Sequence, residues 1–175
     1  MTLFTKICGV VFVVFATSAY GYVLSRDLKK RLLELLEIKK IMFLLKGEIG
    51  YGFTPLFEAM GNIALRVSPP FSHILLSFAE REKEIKECAF KDMWEQEFEK
   101  GLVSAHLSNS ERERLIGLGS SIGLNDYKTQ QTAIEAYMQE VENSIAELEK
   151  CLPAKTKLYR SLGVMLGVVI TIIIV

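Results

Sequence analysis

The apolar positions fall into two kinds of run. At each end of the chain they are continuous, and between the ends they recur every three or four residues. From Leu28 to Ile49 the apolar residues Leu28, Leu32, Leu35, Leu36, Met42, Phe43 and Ile49 follow one broad helical face, which Lys39 interrupts. Residues 55–65 predict a short helix with Leu56, Ala59, Met60 and Ile63 inward. After the Ser68-Pro69-Pro70 break, Phe71, Ile74, Leu75, Phe78 and Ile85 mark another helix, and Phe90, Met93, Trp94, Phe98 and Leu102 the next. Ser110-x-x-Glu113 reads as a capping box ahead of Leu115, Leu118 and Ile122. Asn125-Asp126 then caps a long helix through Ile134, Tyr137, Met138, Val141, Ile145, Leu148 and Leu152, which Pro153 kinks or ends. No stretch alternates with period two between turn signals, so the expected fold is all-α, an antiparallel bundle of about six helices.

The sharpest corner is EIGYGFTPLFEA, from Glu48 to Ala59. Gly47, Gly50 and Gly52 make one continuous helix costly. Thr54 offers a hydroxyl to the first free N–H groups of the next helix, and Pro55 suits its first position. Glu48 and Glu58 are the last charge before the corner and the first after it.

The continuous runs change the picture from a soluble domain to a tethered one. Ile7 to Leu24 holds eighteen residues without a charge, close to the ~20 that span a bilayer. A cleavable signal peptide is the rival reading, with Thr17-Ser18-Ala19 as its cleavage site. Arg26, Lys29, Lys30 and Arg31 follow at once and favour an anchor whose C-terminal end faces the cytoplasm. Leu162 to Val175 is a second apolar run, about 21 Å long as a helix and short of a ~30 Å hydrocarbon core. Lys155, Lys157 and Arg160 precede it and imply the same topology, and Gly163-x-x-x-Gly167 would admit a closely packed membrane helix. The expected organisation is a transmembrane helix over 1–25, a cytoplasmic helical domain over 26–160 and a short transmembrane segment over 161–175.

Charge adds direction. The chain has 21 basic and 21 acidic residues, so no basic excess points to nucleic acid. Residues 26–46 carry seven basic and three acidic side chains, whereas residues 80–100 carry eight acidic and five basic ones. The basic ends suit anionic lipid, and the acidic helices are either solvated faces or a dock for a basic partner. Three cysteines, Cys8, Cys88 and Cys151, without a C-x-x-C pair, argue against a disulfide framework or a zinc site.

Candidate chemistry is sparse. Neither His73 nor His106 stands three residues after a glutamate, so the di-iron bundle pattern is missing. Gly117, Gly119 and Gly123 follow a helical pattern rather than a strand, which fits close helix packing over Gly119, Ser120 and Gly123 better than a nucleotide loop. No P-loop lysine motif occurs. The residues offer no catalytic set, no metal site and no cofactor site.

Two motifs in combination carry a resemblance. One is Glu48-Ile49-x-Tyr51-Gly52-x-Thr54-Pro55-Leu56-x-Glu58-Ala59. The other is Leu115-x-x-Leu118-Gly119-x-Ser121-x-Gly123-x-x-Asp126-x-x-x-Gln130, with Trp94 in a helix between them. Together with the apolar ends, this resembles the stage III sporulation protein AB family of endospore-forming bacteria over nearly the whole chain. Ile122 and Asn125 depart mildly from the expected Leu and Ser. The resemblance implies a six-helix bundle similar to the cytoplasmic domains of type II secretion and type IV pilus platform proteins. It also implies a non-enzymatic platform or adaptor subunit in the channel-like complex between mother cell and forespore. Such a subunit would sit in the mother-cell membrane around the forespore with its domain in the mother-cell cytoplasm. Its partners would be the membrane and other subunits of the stage III sporulation A-operon complex, among them its secretion-type ATPase, stage III sporulation protein AA. The resemblance supplies no catalytic residues, so the motif residues carry over as landmarks and contact surfaces. The alternative is a translocated helical structural subunit held by its C-terminal tail.

Overall fold

The computed structural model describes residues 2–50, 54–81, 90–123 and 126–174, with side chains undescribed at 2–8, 10, 11, 13, 14, 160, 164, 168 and 171–174. The fold is all-α: seven α-helices occur among the described residues, and no strand. They are α1 (Thr2–Gly50), α2 (Leu56–Ala64), α3 (Phe71–Glu80), α4 (Phe90–Gly101), α5 (Asn109–Gly117), the single turn α6 (Gly119–Ile122) and α7 (Tyr127–Ile174). A 3-10 turn, Leu102–Ser104, follows α4. The chain divides into two compact units, residues 33–146 and residues 1–32 with 147–175.

In the unit of residues 33–146, α1 and α7 run antiparallel, because Lys39 pairs with Glu142 at 2.9 Å and Lys46, further along α1, pairs with the earlier Glu135 at 2.8 Å. Both pairs are exposed, so each contributes at most about 1 kcal/mol and serves mainly to hold register. Beneath them α1 buries Leu35, Ile38, Met42, Leu45 and Ile49, and α7 buries Ile134, Tyr137, Val141 and Ile145. The inner stripe of α1 is therefore narrower than expected. Leu36 and Phe43 are 41% and 66% exposed, since each lies one residue, about 100° of helix rotation, past the buried Leu35 and Met42.

An aromatic cluster fills the middle of this unit. Phe57 stacks on Phe78 with centroids 4.9 Å apart, and Trp94 stacks on Phe98 at 4.1 Å. Phe78 meets Phe90 and Trp94 edge-on at 5.1 and 5.8 Å. Such edge-to-face contacts add about 0.5–1.5 kcal/mol each beyond the area they bury. Ile85, expected on the inner face of α3, lies outside the described residues.

Polar side chains then fasten the connections to α1 and to each other. Glu37 accepts the Ser68 N–H at 2.7 Å, and Lys40 donates to the Arg66 carbonyl at 2.6 Å, tying the α2–α3 turn to α1. Glu34 takes both the backbone N–H of His106, at 2.7 Å, and its Nδ1, at 2.9 Å. Glu97 belongs to the acidic stretch whose sequence predicts a solvated face or a dock. It is instead mostly buried, accepting from Ser77 Oγ and Arg81 Nη1, each at 2.7 Å. Burial alone would raise the Glu97 pKa, but the Ser77 and Arg81 hydrogen bonds, helped by the charges of Arg81 and Lys100, outweigh it and leave the pKa lowered.

The second unit is a helix pair closed on small residues. Gly21 packs against the Tyr159 carbonyl, and a Cβ on Gly163 would fall 2.7 Å from the Thr17 carbonyl oxygen. Gly21, Ser25, Gly163 and Gly167 are all buried. They form two small-x-x-x-small pairs on facing helices, a spacing that lets backbones approach closely. Gly163 thus packs on the chain's own α1, at Thr17 and Ser18. Pro153 neither ends nor interrupts α7, which continues to Ile174. Among residues with described side chains, no helix is long and apolar enough to cross a membrane. Both apolar runs, 7–24 and 162–175, include positions outside that set.

Candidate functional site

The motif residues fall into three small constellations, all within residues 33–146. The first is the corner after α1. The helix passes through Gly47 and stops at Gly50, where a Cβ would lie 3.0 Å from the Tyr127 hydroxyl. Thr54 donates its backbone N–H to the Glu48 carbonyl at 3.2 Å and its hydroxyl to Glu48 Oε2 at 3.1 Å. The Thr54 side chain is therefore spent backwards on α1 and does not cap α2. Pro55 is itself the N-cap of α2, in an extended conformation (φ −54°, ψ 142°) with no side-chain cap, and Ala59 makes the first helical bond to its carbonyl at 2.9 Å. A proline carbonyl serves there as well as any other, whereas its missing N–H would be idle in the first turn in any case. Glu58 is exposed in the first turn of α2, where a carboxylate suits the helix dipole. Tyr51 and Gly52 lie outside the described residues.

The second constellation surrounds Trp94. Its ring is fully buried, and Nε1 donates to the Leu115 carbonyl at 3.1 Å. A Cβ on Gly119 would stand 2.9 Å from the Trp94 Cβ and closer still to the ring, and one on Gly123 would stand 2.5 Å from Phe90 Cδ1. These glycines let α4 lay its aromatic rings directly on the α6 backbone. Ser120, expected in the same contact, is exposed and donates to the Gly117 carbonyl at 2.8 Å.

The third opens α7. Asp126 accepts the Thr129 N–H at 3.0 Å and also its hydroxyl, and these bonds hold the Asp126 pKa below its ordinary value. Gln130 donates to the Ile122 carbonyl at 2.8 Å, tying α7 to the end of α6. Asn125 is outside the described residues. The contact of Gly50 with Tyr127 brings the corner and the start of α7 to one end of this unit.

The capping box expected at Ser110 and Glu113 is two residues earlier. Ser108 accepts from the Glu111 N–H at 3.4 Å, and Glu111 accepts from the Ser108 N–H at 2.8 Å. Both serine–glutamate pairs fit the pattern. Starting at Ser108 follows the buried Leu107 directly and buries Glu111, while Ser110 stays exposed.

Beside the first constellation lies an open groove of about 770 Å³, lined by Phe43, Leu44, Lys46, Gly47, Glu48, Arg66 and Met138. No pair of carboxylates, no histidine and no thiol lines it among the described residues. Among the described residues no group of three or more His, Cys, Asp or Glu side chains could hold a metal ion. Two pairings stand outside the sequence motifs: Glu34 with His106, and the buried Gly21 with Ser25. A four-residue spacing of small residues, Thr17, Gly21 and Ser25, is the signal that marks the latter.

Fold and site together define an all-helical bundle whose motif residues close helix ends and seat an aromatic cluster. The chain belongs to the stage III sporulation protein AB family, whose family model matches residues 6–175. It is similar to Stage III sporulation protein AB of Bacillus subtilis (strain 168), at 29% identity over 169 residues, 97% of this chain and 98% of that protein. A solved structure of Stage III sporulation protein AB (SpoIIIAB) matches with a TM-score of 0.64 at 28% identity, covering 71% of this chain and 97% of that one.

Proposed function

We propose that the chain is a non-enzymatic membrane platform or adaptor, which couples the secretion-type ATPase, stage III sporulation protein AA, to the channel-like complex between mother cell and forespore. The observation that carries this reading is the groove beside Glu48. It opens next to a motif residue, presents Phe43 at 66% exposure and places Lys46, Glu48 and Arg66 around that apolar surface, as a protein-docking groove would. The apolar runs at both ends, each flanked by basic residues, support anchorage in the mother-cell membrane, with residues 26–160 on the cytoplasmic side and 1–25 and 161–175 in the bilayer.

The test is a pull-down of the ATPase by the full-length chain in detergent at low and high salt. Binding lost in Phe43→Ser places the contact at the groove. Salt-sensitive binding lost in Glu58→Lys places it on the exposed carboxylates. Absence of binding at either salt, from protein with a normal helical spectrum, refutes the coupling. An impermeant thiol reagent that labels Cys151 in intact cells would overturn the cytoplasmic side.

A further inference from the structure

In the unit formed by residues 1–32 and 147–175, a cleft of about 680 Å³ is lined by Lys29, Leu152, Pro153, Thr156, Lys157 and Ser161. Its lining includes two lysines, a threonine and a serine, and no acid among the described residues. Neither Lys29 nor Lys157 has an acidic partner among the described residues. The Thr156 hydroxyl is buried without a hydrogen-bond partner. A buried hydroxyl of that kind calls for an acceptor from outside the chain. The chemistry the cleft would recognise is a compact anion with several acceptor oxygens, set against apolar carbon.

Position along the chain narrows the anion further. Lys29 stands five residues after Leu24, the end of one apolar run, and Lys157 five residues before Leu162, the start of the other. Five helical residues rise about 7.5 Å, and the headgroup layer of a bilayer extends about 5–8 Å beyond the hydrocarbon on each side. Both lysines are thus at phosphate depth when the two runs lie in a membrane. Tyr159, half-exposed, stands between Lys157 and its apolar run, and the exposed Tyr20 and Tyr22 lie in the last turns of the other run, near the interface that tyrosines favour. We infer that this cleft binds the phosphodiester headgroup of an anionic lipid, with Lys29 and Lys157 on the phosphate oxygens and Thr156 donating to one of them. The inference rests on the membrane reading above.

The test reconstitutes the full chain into nanodiscs of phosphatidylcholine with and without phosphatidylglycerol, and counts retained lipids by native mass spectrometry. The native chain is expected to retain phosphatidylglycerol selectively. At about 1 kcal/mol for each headgroup lysine, the double variant Lys29→Gln/Lys157→Gln should lose about thirtyfold of that preference. Thr156→Val, which keeps shape and charge, should lose severalfold, and the control pair Lys150→Gln/Lys155→Gln less than threefold. Equal losses in both lysine pairs, with no effect of Thr156→Val, reduce the effect to general surface charge and overturn the site. Displacement of the lipid by millimolar inorganic phosphate, or by a polyglutamate peptide, overturns the lipid assignment. Insertion into both bilayers without preference refutes the site and leaves the membrane reading standing. Failure to enter either bilayer refutes both.

Discussion

Gly119→Ala puts the packing around Trp94 to the test. The added methyl would stand 2.9 Å from the Trp94 Cβ and nearer to its ring, in a contact with no free volume. Overpacking of this kind costs about 1–3 kcal/mol. Displacing the ring also stretches the Nε1 hydrogen bond to the Leu115 carbonyl, which contributes about 1 kcal/mol. Against this, alanine in place of glycine in a helix gains up to about 1 kcal/mol. The net expectation is a loss of about 1–3 kcal/mol, or a fall in Tm of roughly 5 °C for a protein of this size. Gly117→Ala supplies the internal control, because nothing lies within 4 Å of its Cβ position. It should be neutral or stabilising by up to about 1 kcal/mol. Trp94 is the only tryptophan, so its emission reports the site directly during urea unfolding of the full chain in detergent. Gly119→Ala should shift the emission maximum to the red and lower the midpoint. Equal stability of the two variants, with an unmoved emission maximum, would refute the packing account of the glycine motif.

Other consequences are open to direct measurement. Ser108→Ala should lose about 1 kcal/mol through its cap, while Ser110→Ala stays within about 0.5 kcal/mol; the reverse order in urea melts would restore the later capping box. Because the Glu97 pKa is lowered in the folded state, the unfolded chain binds the extra proton. The Glu97 contribution is therefore present above its unfolded value of 4.5 and is lost as pH falls below it toward the folded pKa, so Glu97→Gln should flatten the stability profile there. An unchanged slope in acid melts would dismiss the Ser77–Glu97–Arg81 cluster as a stabilising element. Gly163→Val should part α1 from α7 where Thr17 now touches, which lengthens the distance between spin labels at the exposed positions 20 and 162; an unaltered distance distribution would rule out small-residue packing as the clasp.

What the chain revealed in advance follows from the range of each interaction. Helix existence is a local property, so the three-to-four spacing in Phe71–Phe78 and Phe90–Phe98 was enough to place α3 and α4. Facing direction is less local: Leu36 and Phe43 fit a broad stripe, yet only the buried partners across the bundle decide which edge of that stripe is inside. Capping is local but degenerate, since Ser108 and Ser110 each precede a glutamate by three residues, and only the burial of Leu107 separates them. Glu34 and His106, 72 positions apart, share no signal at all. The same logic explains the motifs. Thr54, Gly119, Asp126 and Gln130 each satisfy a demand set by a neighbour: a terminal carbonyl, an indole ring, an open helix start and a loose carbonyl. Phe43 and Glu58 are exposed near the corner and serve no such demand, which is why both stand in the binding test.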